Sequence, residues 1–146
     1  MEILILLVLG LLISSGLLSM SETAIFSVPL SRIELMKEKK LPGSRSLVLI
    51  KEKISRPIIT IVVLNNFINI VGSMFVGVTA AEIFGDQFLG IISAIVTVLI
   101  IFFAEIIPKT LGERHAEKIA LVVARPILFI SKLFTPIAWL IESLTS

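Results

Sequence analysis

Polar side chains at helical spacing interrupt an otherwise apolar stretch near the N-terminus. Ser15 and Ser19 are four residues apart and share one face of a helix, which Glu22 extends. Polar groups at membrane depth are costly unless they face protein or water. Serine also mediates helix packing, so the two serines fit either a packing contact or a set of ligands.

A second apolar stretch carries three asparagines. Asn65, Asn69 and Ser73 step by four along one helix face, and Asn66 lies beside them. Asparagine can hydrogen-bond between helices, so a purely structural role is open here too. Three asparagines in one span nevertheless favour a functional role.

A third apolar stretch contains Glu105 near its end. Lys109 follows four residues later and could neutralise this carboxylate, whereas the alternative is a functional acid. Three neighbouring helices could direct hydroxyl, amide and carboxylate oxygens at one another. Hard cations such as Mg²⁺ take oxygen ligands, so the pattern predicts a divalent cation site.

The composition excludes several classes of protein. Of 146 residues, 56% are hydrophobic and only 16% charged, which is too apolar for a core of this size to bury. The absence of cysteine excludes disulfides, thiolate metal sites and cysteine nucleophiles. No glycine-rich phosphate loop is present, so this chain alone offers no ATP site, and no serine, histidine and acid set converges. We expect no enzyme, and we also expect no nucleic-acid partner.

The three apolar stretches are each long enough to cross a membrane. A span needs about 20 apolar residues, which predicts spans at 3–28, 57–81 and 87–107. Pro57 suits a first helical turn, and Pro108 is expected to end the third span. The predicted fold is a single all-α membrane domain over residues 1–146, with three transmembrane helices, cytoplasmic juxtamembrane amphipathic helices and the lipid bilayer as partner.

The basic residues predict the topology. All 13 lysines and arginines lie within residues 29–57 and 108–132, whereas the turn at 82–86 carries only acids. Lysine and arginine stay on the cytoplasmic side of a membrane. We therefore expect a multi-pass protein of the cell (inner) membrane with its N-terminus outside.

Two segments are predicted to lie at the cytoplasmic membrane surface. Residues 31–55 are expected to be helical with a break at 41–43, and residues 116–143 to form a further interfacial helix. The second segment is apolar enough for a fourth span. A basic stripe spaced by seven residues favours the interface, however, and it consists of Lys118, Arg125 and Lys132.

Three short pieces carry a resemblance to a known family. They are Ser15 to Ala24, Asn65 to Asn69, and Ala104 to Lys109, which contains Glu-x-x-Pro-Lys. Their order and spacing resemble the transmembrane domain of the cyclin M (CNNM)/CorC family over essentially the whole chain. The third piece is the most specific.

The resemblance implies magnesium transport, namely export coupled to sodium. Mg²⁺ would then be the transported ion and Na⁺ the coupling ion. It also implies a homodimer with three spans and a helical belt. In the full-length protein, cytoplasmic CBS-pair and CorC-type domains that sense nucleotide would follow.

The resemblance also implies a set of site residues. Ser15, Ser19, Asn65, Ser73 and Glu105 would surround the cation, and Ala104 would offer its carbonyl from a distorted helix. The family commonly has glycine in place of Ala104 and of Leu64. Five further residues would support the site, and these are Glu22, Asn66, Asn69, Pro108 and Lys109.

Two functions compete at this point. The first is an ion transporter in which access to the site alternates between the two sides of the membrane. The second is a membrane anchor or sensor for a cytoplasmic nucleotide-binding regulatory module, in which the polar groups only hold the helices together. Selective stabilisation by magnesium would distinguish the two.

Overall fold

Three long apolar helices form the membrane-spanning part of the protein. The computed structural model describes residues 1–146, which form helices and turns without any strand. Helices α1 (Glu2–Ser27) and α4 (Ser55–Phe84) and a continuous helical run, Asp86–Arg114, are each long and apolar enough to cross a membrane. The predicted all-α membrane fold is confirmed, and we call the run from Asp86 to Arg114 the third span.

Helix α1 ends where a proline forbids its continuation. Val28 is extended because Pro29 disfavours helical dihedral angles in the residue before it. Pro29 then becomes the N-cap of α2, Leu30–Glu38. The chain therefore turns at the predicted inner end of the first span.

A tight turn joins α2 to α3, Ser44–Glu52, at the break that the sequence predicts. Lys40 and Gly43 both adopt positive φ angles, of 56° and 83°. A Cβ atom on Gly43 would lie 2.2 Å from the carbonyl oxygen of Leu121, so only glycine fits here. The turn is thereby docked on the backbone of α7, Ala116–Leu133.

The third span does not end at Pro108, and this corrects the sequence-based expectation. A short 3₁₀ turn leads into α5 (Leu89–Leu99), a π-helix (Ile100–Ile106) and α6 (Ile107–Arg114). In the π-helix the Ile107 N–H bonds to the carbonyl of Phe102, five residues back. Pro108 then falls in the first turn of α6, where its missing N–H costs little, so the helix continues.

The C-terminal segment forms two helices where the sequence predicts one. Helix α7 is followed by α8 (Thr135–Thr145), and the two are bent by 75° about Phe134. The bent pair together is long and apolar enough for a fourth span. The two alternatives, an interfacial segment and a fourth span, therefore both stay open. Trp139 lies on an exposed face of α8.

Buried apolar residues form two separate cores. Three residues form what we call the membrane core, and these are Leu11, Val76 and Val96. Twelve residues where α2, α3 and α7 pack on α1 and α4 form what we call the juxtamembrane core. These are Ala24, Ile25, Val28, Ile33, Met36, Leu47, Val48, Ile50, Ile61, Ala120, Ala124 and Ile127.

Candidate cation site

A polar network joins α1 to α4 within the apolar part of both helices. The Ser15 hydroxyl donates to Oδ1 of Asn65 at 2.7 Å, and Nδ2 of Asn65 donates to the Ser19 hydroxyl at 3.2 Å. Both serines are fully buried. Asn66, the neighbouring amide, is exposed, so Asn65 is the asparagine that meets α1.

Helical spacing explains why these three residues meet. Leu11, Ser15 and Ser19 lie four residues apart on one face of α1. On α4, Asn65 and Gly72 are seven residues apart, which is about two helical turns. A Cβ atom on Gly72 would lie 2.6 Å from the Leu11 side chain, so Leu11 packs directly on Gly72. This contact lies beside the polar network, towards the N-terminal end of α1.

A glycine in α1 brings the third span against the same region. A Cβ atom on Gly16 would lie 3.2 Å from Cγ of Pro108, 3.3 Å from the carbonyl oxygen of Phe103 and 3.8 Å from Cα of Ala104. Ala104 is fully buried at this contact. The π-helix therefore lies against the residue that follows Ser15 in the chain.

The carbonyl of Ala104 lies at the point where the helix is distorted. In an α-helix this carbonyl would accept a hydrogen bond from residue 108, but proline has no N–H to donate. The structure thus has the distorted helix that the resemblance implies, with alanine at the position that is commonly glycine in the family. Its carbonyl lacks the usual α-helical donor.

The two carboxylates of the predicted set have no cationic partner within the chain. Glu105 in the π-helix and Glu22 in α1 are both partly buried, and neither takes part in the two salt bridges of the structure. Lys109 is exposed and forms no ion pair with Glu105, so the alternative in which Lys109 neutralises this carboxylate is not seen. The Glu105 charge is therefore free to act on a ligand.

The polar face of α4 continues beyond the network. Oδ1 of Asn69, four residues after Asn65, is buried and has no hydrogen-bond partner. Ser73 follows one turn later and is partly buried. Because buried polar atoms are normally paired, Asn69 marks a place that a ligand, a water molecule or another subunit would satisfy.

The donor set consists mainly of neutral oxygens. The structure has no group of three or more histidine, cysteine and acidic residues that could hold a metal ion. Ser15, Ser19 and Asn65 would supply hydroxyl and amide oxygens to a cation, and Glu105 lies on the neighbouring helix. Such a set suits a hard cation bound weakly enough to be released.

Sequence reasoning missed one close contact that builds this region. Gly112 of α6 packs so closely on α1 that a Cβ atom would lie 2.5 Å from the carbonyl oxygen of Met20. The resemblance implies a distorted helix at Ala104 but not its type. Pro108 is the local signal for the distortion, because proline removes one α-helical hydrogen bond.

Comparison with known proteins identifies the family to which this chain is similar. A family model described as the cyclin M transmembrane N-terminal domain (CNNM) matches residues 5–146. A UPF0053 protein of Synechocystis sp. is 48% identical over 135 residues, covering 92% of this chain and 39% of the relative. The UPF0053 inner membrane protein YfjD of Escherichia coli is 27% identical over 134 residues, covering 90% of this chain and 31% of that protein.

The chain spans about a third of the length of these curated relatives. The matched part of each relative therefore corresponds to the membrane-spanning helices described above.

Proposed function

This chain belongs to the cyclin M transmembrane N-terminal domain family, and from that premise we propose that it carries Mg²⁺ across the membrane. The observation that carries the proposal is the network of Ser15, Asn65 and Ser19. These oxygens belong to two helices, and the third span approaches them through Gly16.

The ion would be held by three oxygens that take part in the hydrogen bonds between α1 and α4 in its absence. Oδ1 of Asn65 and the two serine hydroxyls each have lone pairs, and a rotated hydroxyl can direct them at a cation. Glu105 would supply the attractive charge, and the Ala104 carbonyl a further oxygen. Asn69 and Ser73 would extend the polar path along α4.

Burial of the serines implies how access is controlled. Ser15 and Ser19 are fully covered in the protomer, so an ion reaches them only when α1, α4 and the third span separate. Opening on one side of the membrane at a time gives alternating access. We propose export from the cytoplasm, with the N-terminus outside the inner membrane and an inward sodium gradient as the energy source.

The proposed assembly is a homodimer whose full-length chains carry CBS-pair and CorC-type domains. The exposed amide of Asn66 supports a second protomer, because an asparagine facing lipid is costly. The cytoplasmic domains would regulate transport in response to nucleotide.

A second function is supported by one specific observation. Ser15, Asn65 and Ser19 satisfy each other's hydrogen bonds without any ion, as the packing network of a membrane anchor would. In that case the same residues hold the helices together and signalling belongs to the cytoplasmic domains.

Thermal unfolding of the detergent-solubilised chain tests the proposal. Mg²⁺ that binds only the folded state raises the melting temperature with its concentration. We expect this rise for the wild type, with little response to Na⁺ or K⁺, and its loss in Asn65→Ala and Glu105→Gln. Ser14→Ala is the matched control and retains it, because the Ser14 hydroxyl only bonds to the Gly10 carbonyl of its own helix.

A wild-type melting temperature that ignores millimolar Mg²⁺ would favour the anchor. Equal loss of the response in Ser14→Ala would also contradict the assignment of Asn65. If binding is found, Mg²⁺ flux into proteoliposomes with and without a sodium gradient tests transport and its coupling separately.

A further inference from the structure

Helix α7 presents three distinct faces. One face packs on the rest of the protein through Ala120, Ala124, Ile127 and Ser131. The opposite face carries Val122, Phe129 and Leu133, which are 64–76% exposed. Helix α7 packs beside the inner ends of α1 and α4, so an apolar face that points away from the protein here fits contact with lipid tails.

The third face is basic and borders the apolar one. Lys118, Arg125 and Lys132 are spaced by seven residues and are all exposed. Arg125 is three residues after Val122 and four before Phe129, so it adjoins both along the helix surface. This is the arrangement by which a long basic side chain reaches the headgroup layer.

Arg125 also lines a cavity of about 860 Å³ at the turn between α2 and α3. Lys37, Lys40 and Arg45 line the same cavity, and none of these four cations takes part in a salt bridge. Glu34 and Glu38 are the only acids at its wall, so the cavity carries an excess of positive charge.

The cavity is held in shape by the docked turn. Gly43 lies against the backbone of Leu121, one helical turn before Arg125. This contact fixes the cations of the turn beside Arg125 and beside the exposed apolar face of α7. A rigid basic cavity is therefore continuous with a surface suited to lipid tails.

We propose that this cavity binds the phosphate headgroup of an anionic phospholipid of the cytoplasmic leaflet, whose acyl chains lie on Val122 and Phe129. That leaflet is negatively charged, and basic pockets at the cytoplasmic ends of membrane helices attract such headgroups. The adjoining apolar face selects a lipid over a soluble phosphate compound. This site is independent of the proposed transport function.

Binding is tested by titrating the detergent-solubilised chain with phosphatidylglycerol or with phosphatidylcholine and following the melting temperature. We expect phosphatidylglycerol to stabilise the wild type and phosphatidylcholine to have little effect. Removing one cation weakens attraction to the headgroup about fivefold, so Arg45→Gln with Arg125→Gln should weaken the apparent affinity by at least that factor.

The matched control is Lys118→Gln with Lys132→Gln, which also removes two positive charges, both from α7 and both outside the cavity. This control should retain most of the affinity. Lys37→Gln with Lys40→Gln provides a second cavity pair if the first unfolds the protein, and should also lose affinity. Val122→Ser with Phe129→Ser should weaken lipid binding through the tails alone.

Three results would overturn the proposal. Equal loss in the control pair would mean that the attraction is only that of a diffuse basic surface. Equal stabilisation by phosphatidylcholine would mean that the headgroup is not recognised. Full displacement of phosphatidylglycerol by inorganic phosphate, with no effect of the serine substitutions, would make a soluble phosphate compound the ligand.

Discussion

The juxtamembrane core and the membrane core are built on different principles. The first buries twelve apolar residues drawn from five helices, whereas the second buries only three. Outside the lipid, burying apolar surface is strongly favourable. Inside it, lipid tails are as apolar as leucine, so small residues and hydrogen bonds fix the helices instead.

This difference separates a rigid base from a looser bundle. Ala24, Ile25 and Val28 anchor the inner end of α1 in the juxtamembrane core. The serines of the candidate cation site lie roughly one and a half to two and a half turns further into the membrane. The third span packs on α1 mainly at its inner end, through Pro108 and Gly112. Its outer part, α5, buries only Val96.

The largest loss of stability is expected when a side chain is removed from the juxtamembrane core. Leu47→Ala should lower the free energy of unfolding by about 2–5 kcal/mol, because Leu47 is fully buried and a cavity remains. Leu11→Ala in the membrane core should cost clearly less, because lipid tails can replace the lost contacts. Reversible unfolding in mixed micelles measures both.

Leu49→Ala is the control for that experiment, since Leu49 is 52% exposed on the same helix as Leu47. It should change stability by no more than about 0.5 kcal/mol. An equal loss in the free energy of unfolding for Leu47→Ala and Leu11→Ala would contradict the difference between the two cores.

A second test places a methyl group where two backbones touch. Gly112→Ala should destabilise the protein by about 1–3 kcal/mol, because the added Cβ meets the backbone of Met20, which cannot rotate away. Gly77→Ala is the control, since nothing lies within 4 Å of that position. A Gly112→Ala protein as stable as the wild type would show that the third span is free to shift on α1.

A third test concerns the hydrogen bonds of the membrane core. Ser15→Ala removes the donor to Oδ1 of Asn65 and should cost about 0.6–1.7 kcal/mol. Ser14→Ala should have a smaller effect, because the Ser14 hydroxyl only bonds back to the Gly10 carbonyl of its own helix. Unfolding of the two variants side by side decides whether the network stabilises the bundle.

The smallest expected effect is a pH dependence in α3. Burial lowers the pKa of Lys51 in the folded protein, so between that pKa and the higher pKa of the unfolded chain the unfolded state binds more protons. Stability should therefore rise slightly as the pH is raised through this alkaline range. Melting curves of Lys51→Met should lack the rise, and a fall in the wild type would contradict the assignment.

The sequence predicts the helices well because lipid imposes simple rules. The three spans, the break at residues 41–43 and the shared face of Ser15 and Ser19 all follow from length, hydropathy and helical spacing. Contacts between helices follow no such rule. The approach of Gly112 to Met20 depends on how two helices cross, which the periodicity of neither helix contains.

The third span shows where local reasoning fails. Pro108 is a helix terminator by its own chemistry, yet the helix passes it because the π-helix before it shifts the hydrogen-bond register. That shift is sustained by packing, since Gly16 of α1 lies against Pro108 and Ala104. This contact between two helices is not contained in the local sequence around Pro108.

The fluorescence of the exposed indole on α8 can report the depth of this helix in the membrane. Trp139 is the only tryptophan and the chain has no tyrosine, so its ultraviolet fluorescence under indole excitation comes from one side chain beyond the 75° bend. Quenchers attached at known depths along a lipid would read the depth of that ring directly. Emission quenched at the headgroup level places α8 along the membrane surface, and quenching near the bilayer centre places it within a fourth span.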